Sequence, residues 1–171
     1  MIVVVMGVTG SGKTTVGQAL AASLGWPFLD ADDLHPPENV GKMAAGHALT
    51  DADRWPWLDR IAAESRDRAS RGVNAVVACS ALRAIYRERL QRAGDVRFVY
   101  LRGSETTIAA RLSRRQHRYM PAALLPSQLA TLEEPDDALT IDIRLDLDEQ
   151  VRAIRAGLEL AMPDSLEVRD A

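Results

Sequence analysis

The segment Gly7-Val8-Thr9-Gly10-Ser11-Gly12-Lys13-Thr14 constrains this chain more than any other. It fits the pattern G-x-x-x-x-G-K-[ST] in full. An apolar run, Ile2 to Met6, precedes it and a helical pattern, Thr14 to Leu24, follows it, which is the context the pattern requires. Strand, glycine loop and helix in that order make a cradle for phosphate. The glycines let the backbone curl until successive N–H groups converge on anionic oxygens, and the helix N-terminus adds its partial positive charge. In such a cradle residues 7–12 and Thr15 surround the phosphates, Lys13 reaches the β- and γ-phosphates, and the Thr14 hydroxyl faces Mg²⁺. Of the 21 basic residues only Lys13 and Lys42 are lysines. Where any cation would serve, the chain uses arginine; at 13 it uses lysine, whose compact ammonium fits between phosphates as a point charge.

The rest of the chain alternates short apolar runs with helical patterns. Strands are expected at 2–6, 27–29, 75–79, 97–101 and 139–143, each a continuous apolar run suited to a sheet covered on both faces. Helices are expected at 14–24, 55–71, 81–93, 106–115 and 148–161, with Ser80 and Ser104 as N-caps and Gly25, Gly72 and Gly94 closing C-termini. This alternation predicts one α/β domain over 1–171, built on a mainly parallel five-stranded sheet. The polar residues 164–171 read as a loose tail. A net charge of −3 and a pI near 5.6 provide no general basic field for nucleic acid or an anionic membrane. Met1 to Met6 is too short for a signal segment, no apolar run is long enough for a membrane span, and Cys79 stands alone. A cytoplasmic protein is expected.

A phosphate cradle serves several functions. Neither D-x-x-G nor N-K-x-D, the marks of a guanine-nucleotide switch, occurs in the chain, and it is too small for a transporter ATPase. A small kinase remains, with a nucleotide-binding module as the non-enzymatic alternative. The stretch Leu29-Asp30-Ala31-Asp32-Asp33-Leu34-His35 separates the two. It ends the second expected strand, where the carboxyl edge of an open α/β sheet borders the ligand crevice. There Asp30 is placed to hold Mg²⁺ with Thr14, and Asp32 to take the proton of an attacking hydroxyl. Asp33 and His35 either orient the acceptor or cap the helix that begins near Pro36.

These residues resemble the gluconate kinase family of small phosphate-loop sugar-acid kinases. The likeness rests on an ordered series: FLDADDLHPPENVGKMAAGHALTDADRWPWL from Phe28, CSALRAIYRERL from Cys79, FVYLRG from Phe98 and MPAALLPSQLATLEEP from Met120. It covers residues 1 to about 155. It implies ATP-dependent phosphorylation of D-gluconate at C6, a three-layer α/β/α fold like that of shikimate and adenylate kinases, and a homodimer. Where the family reads HFMP, this chain has Arg118-Tyr119-Met120-Pro121, a departure in the segment that should close over the site.

With gluconate as the implied acceptor, the site needs a cation for a carboxylate and hydrogen-bonding partners for a polyol. Arg54 is the first candidate for the carboxylate, since a guanidinium matches it bidentately; pairing with Asp51 or Asp53 is the competing reading. Ser80 and Arg83 follow the third strand and border the same crevice. Lys42, His47 and His35 are further candidates, with plain surface placement the competing reading for Lys42 and His47, while Trp55 and Trp57 suit the core or the walls. The segment Arg111 to Pro121 carries arginines at 111, 114, 115 and 118. It reads as a mobile lid over about 114–126 that excludes water, with Arg111 on the nucleotide and Arg115 on the transferred phosphoryl group. A solvated basic helix end, or a patch for RNA, is the alternative.

Overall fold

The computed structural model describes residues 1–113 and 124–160. Five strands form one sheet: β1 (Ile2–Met6), β2 (Phe28–Asp30), β3 (Ala75–Ala78), β4 (Val96–Arg102) and β5 (Leu139–Asp142). Their order is β2-β3-β1-β4-β5 and every neighbouring pair is parallel. Val4 of β1 lies between Val77 and Phe98.

Helices cover both faces, which is why β1 is apolar throughout. No residue of β1 is more than 2% exposed. Val3 and Val5 point to one side, where α1 (Lys13–Leu24) and α7 (Leu147–Gly157) supply Val16, Leu20, Val151 and Ile154. Ile2, Val4 and Met6 point to the other, where α3 (Asp51–Ser70) and α4 (Ala84–Gln91) supply Trp57, Leu58, Ile61, Tyr86 and Leu90. The remaining helices are α2 (Pro37–Ala44), α5 (Glu105–Ser113) and α6 (Leu125–Thr131), and a 3₁₀ turn spans Ala31–Leu34.

The five expected strands form within one or two residues of their expected ends. Several helix boundaries differ, each for a local reason. α3 begins at Asp51 rather than Trp55, because Thr50 and Asp53 form a reciprocal capping box; Pro56 is therefore inside the helix. α4 begins at Ala84 rather than Ala81. Ala81 is in the left-handed region at φ 44, so residues 79–83 form a loop and Ser80 is not a helix cap. Ser104 does cap, its Oγ accepting from Thr107 N–H at 3.2 Å. α7 ends at Gly157 rather than 161. Leu125 and Pro126, assigned to the end of the lid, open α6 instead, with Pro126 in the first turn where its missing N–H costs nothing. Residues 114–123, which carry the rest of the lid including Arg115 and Arg118, lie outside the described residues, as does the tail from 161. Among the described residues no helix is long and apolar enough to cross a membrane.

Candidate active site

The phosphate loop runs from the carboxyl end of β1 into α1. Gly7, Gly10 and Gly12 all have positive φ, at 143°, 77° and 104°. At Gly10 a Cβ would lie 2.7 Å from Leu112 Cγ, so only glycine lets the loop fold against α5. Ser11 N–H donates to the Val8 carbonyl at 3.2 Å, while the buried Ser11 Oγ has no partner among the described residues. The Lys13 ammonium donates to the Val8 carbonyl at 3.0 Å. Burial holds Lys13 below the ordinary lysine value, with Asp32 and then Asp30 among the charges that oppose the shift.

The acidic corner faces this loop. Thr14 Oγ1 donates to Asp30 Oδ2 at 2.9 Å, and Asp30 Oδ1 accepts from Asp32 N–H at 3.1 Å. β2 ends at Asp30, so the carboxylate fixes the turn that presents Asp32. Burial pushes the Asp32 carboxyl above the usual range; Lys13 opposes the shift, and Asp30 and Asp33 add to it. A base that holds a proton more tightly takes one from a hydroxyl more readily.

Beside the corner lies a cleft between the 3₁₀ turn, α3, the loop after β3 and α6. Its walls include His35, Arg54, Trp57, Ser80, Ser127 and Gln128, and its free space of about 30 Å³ holds roughly two waters. His35 stacks on Trp57, with ring centroids 4.1 Å apart, and Trp57 Nε1 is anchored on the Ala31 carbonyl at 2.7 Å. Burial, then the nearby Arg54 charge, lowers His35 to about 4, so the ring is neutral at pH 7. Its buried Nδ1 has no hydrogen-bond partner among the described residues. Such an atom either carries a desolvation cost or awaits a ligand.

Arg54 is held by Tyr86, whose hydroxyl accepts from Nη1 at 3.0 Å. Asp51 Oδ1 lies 3.5 Å away and itself accepts from the Tyr86 hydroxyl. Arg54 thus pairs with Asp51, as its competing reading has it, and it also lines the cleft. Arg83 is turned aside to Asp51 at 2.5 Å and Glu133 at 3.2 Å. Lys42 is drawn to Asp53 at 2.6 Å. Neither is among the residues lining the cleft, whereas Ser80 and the exposed His47 are. Arg111 bonds the Ile143 carbonyl, and its Nη1 lies 3.8 Å from where a Gly12 Cβ would stand, beside the phosphate loop. Thr15 is exposed one residue beyond Thr14. The Cys79 thiol is buried and pushed up to about 12, which leaves it inert.

The sequence reading did not single out Tyr86, Ser127, Gln128, Glu133 or Arg87. Buried Arg87 donates to the carbonyls of Ala81, Leu82 and Glu133 at 3.0–3.3 Å, locking the loop that carries Ser80. Gln128 accepts from the Thr9 N–H of the phosphate loop.

A phosphate loop on a parallel sheet, facing a carboxylate pair and a separate polar cleft, defines a small phosphoryl-transferring kinase of the P-loop type. Residues 9–138 match the shikimate kinase family. A gluconokinase from Gluconobacter oxydans is 53% identical over 137 residues, covering 78% of this chain and 76% of that protein. A gluconokinase of known structure from Sinorhizobium meliloti superposes with a TM-score of 0.83 at 45% identity, covering 92% of this chain and 90% of its own. An unliganded sugar kinase from a Janibacter species reaches 0.88 at 43% identity, covering 94% and 95%. The chain belongs to the gluconokinases, within the wider shikimate kinase family. It is an ATP-using phosphotransferase acting on an alcohol acceptor.

Proposed function

We propose that the chain transfers the γ-phosphoryl group of ATP to the C6 hydroxyl of D-gluconate, releasing ADP and 6-phospho-D-gluconate. The observation that carries this reading is the corner in which Thr14, Asp30 and Asp32 meet Lys13, opening beside the cleft of His35 and Arg54. Lys13 and the loop of residues 7–12 surround the triphosphate, with Thr15 and Arg111 at its margin; the Gly7, Thr9 and Ser11 N–H groups are bonded within the protein and shape the loop. Asp32 accepts the proton as the C6 oxygen bonds to phosphorus and the bridge to the β-phosphate breaks. In a cleft that must widen beyond its free space of about 30 Å³ to admit a sugar acid, Arg54 receives the distant carboxylate, and His35 Nδ1 and Ser80 offer hydrogen bonds to hydroxyls. Arg83 and Lys42, the remaining sequence candidates for acceptor binding, would have to leave their carboxylate partners to take part. Arg115, assigned to the moving phosphoryl group, lies outside the described residues.

Thr14 and Asp30 supply hard oxygen donors suited to Mg²⁺. Among the described residues no cluster of three or more His, Cys, Asp or Glu could hold a metal, which fits an ion that takes most of its ligands from phosphate and water. When bound, it would neutralise charge on the phosphate oxygens. A cytoplasmic homodimer belongs to the same proposal, to be checked by sedimentation.

An ADP-release assay over gluconate, other sugar acids, shikimate and nucleoside monophosphates tests the reading. Gluconate should give saturable turnover and the others little. Turnover with another acceptor would replace the substrate, and ATP binding without acceptor-stimulated turnover would leave a nucleotide-binding module.

A further inference from the structure

We infer that Gln128 is a positioning residue for phosphoryl transfer, tying the acceptor cleft to the phosphate loop. The inference rests on the reading of gluconate as acceptor and adds a residue to it.

Three observations support it. Gln128 Oε1 accepts from the Thr9 backbone N–H at 2.7 Å, a buried bond between residues 119 positions apart. Gln128 and Ser127 also line the cleft of His35 and Arg54, so one residue of α6 touches both halves of the site. Further along the same segment, Glu133 N–H bonds the Leu82 carbonyl at 2.8 Å, and Arg87 bonds the Glu133 carbonyl at 3.0 Å. The segment from α6 to Glu133 is therefore pinned to the loop carrying Ser80 at one end and to the phosphate loop through Gln128.

The Thr9 tie lies where it matters for the loop. Val8, next to Thr9, already accepts from Lys13 Nζ and Ser11 N–H. The Thr9 N–H that donates to Gln128 is the other end of that same peptide, so the Val8–Thr9 peptide is held by both its carbonyl and its N–H, which sets the direction of the loop around it. A neutral amide oxygen suits this task, because it accepts the bond without placing a negative charge beside phosphate. In-line transfer requires the acceptor oxygen and phosphorus to be brought within a few tenths of an ångström of a set geometry, and an error of about 1 Å costs on the order of 10²-fold. A wall of the cleft anchored on the loop keeps that distance as either part shifts.

Gln128→Met keeps the length and volume of the side chain and removes the acceptor oxygen. The expected result is a kcat lower by about tenfold or more, with the KM for gluconate within about threefold, a loss of transition-state alignment rather than of binding. The ratio of ADP to 6-phosphogluconate should also rise above one, as misaligned phosphoryl groups pass to water. Leu129→Ala is the control for simple weakening of α6: Leu129 packs on the core and is not a partner in the hydrogen bond between Thr9 and Gln128. It should lower Tm while keeping the parent's product ratio. A parent-like kcat and ratio in Gln128→Met, or the same changes in Leu129→Ala, would overturn the inference. In the parent protein, gluconate alone should shift the Thr9 amide resonance; an unmoved resonance with gluconate bound would also overturn it, whether or not Gln128→Met folds. Failure of the gluconate reading looks different, because the parent itself would then show no gluconate turnover.

Discussion

His35 lies nearly flat on Trp57, its ring plane 13° from parallel, and this stacking decides the charge of the cleft. The imidazole gives up hydration on one face to the indole and has a guanidinium nearby, so a second positive charge there is opposed twice. The His35 value of about 4 leaves a neutral ring, and among the described residues lining the cleft Arg54 supplies the guanidinium. A neutral ring serves a hydroxyl, and the cation serves a carboxylate.

NMR titration of the His35 ring should therefore give a midpoint near 4, and a midpoint between 6 and 7 would show an open, hydrated ring. The stability consequence has a definite sign. A histidine whose folded value is depressed binds fewer protons folded than unfolded, so its contribution is intact above about 6.5 and is lost as pH falls toward 4. His35→Gln should flatten that part of the stability profile in urea titrations at several pH values.

Asp32→Asn should lower kcat by about 10²-fold or more while ATP still binds. The same substitution should stabilise the fold at neutral pH. Burial raises the folded carboxyl value above the unfolded one, so the ionised form costs stability as pH rises past the unfolded value. The gain in Tm should be present at pH 7–8 and vanish in acid, where both states are protonated. An active Asp32→Asn enzyme would remove Asp32 from the proton-accepting role.

Much of this site was legible because its signals are local. The glycine loop needs a strand before it and a helix after it, and the chain supplies both within 24 residues. Asp30 was legible from its place just past the second expected strand, at the carboxyl edge of the sheet, which is where Lys13 and Thr14 begin α1. What the sequence concealed is pairing over long separations. Nothing near Thr9 announces Gln128, although a signal was there: Leu125, Leu129 and Leu132 mark one helical face, and Gln128 interrupts it with a polar group that must find a partner. The start of α4 was concealed differently. Ala81 adopts a left-handed backbone that alanine does not advertise, and Arg87 holds the loop there through three carbonyls.

Arg54→Lys should raise the KM for gluconate by about tenfold, with little change in the KM for ATP. Lysine keeps the charge but loses the planar fork and the stacking over Tyr86, where the guanidinium carbon lies 5.4 Å from the ring centroid. Tyr86→Phe offers a milder test. It removes the hydroxyl that holds both Arg54 and Asp51, so Arg54 loses its orientation but keeps its charge. Steady-state kinetics on both variants should place Tyr86→Phe between Arg54→Lys and the parent. An unchanged KM in Arg54→Lys would exclude Arg54 as the carboxylate clamp.

Gly10→Ala tests the seat of the phosphate loop on α5. Two costs are expected. At φ 77 an alanine pays roughly 1–2 kcal/mol for the left-handed region, and its Cβ would press on Leu112 Cγ at 2.7 Å. Leu112→Ala removes the obstacle but leaves a cavity costing about 2–5 kcal/mol by itself. If the clash is real, the double variant should be less unstable than the sum of the two, by on the order of 1 kcal/mol in urea unfolding, because the new methyl partly fills the space that Leu112 vacates. Strict additivity would mean the loop bends away from α5 without cost.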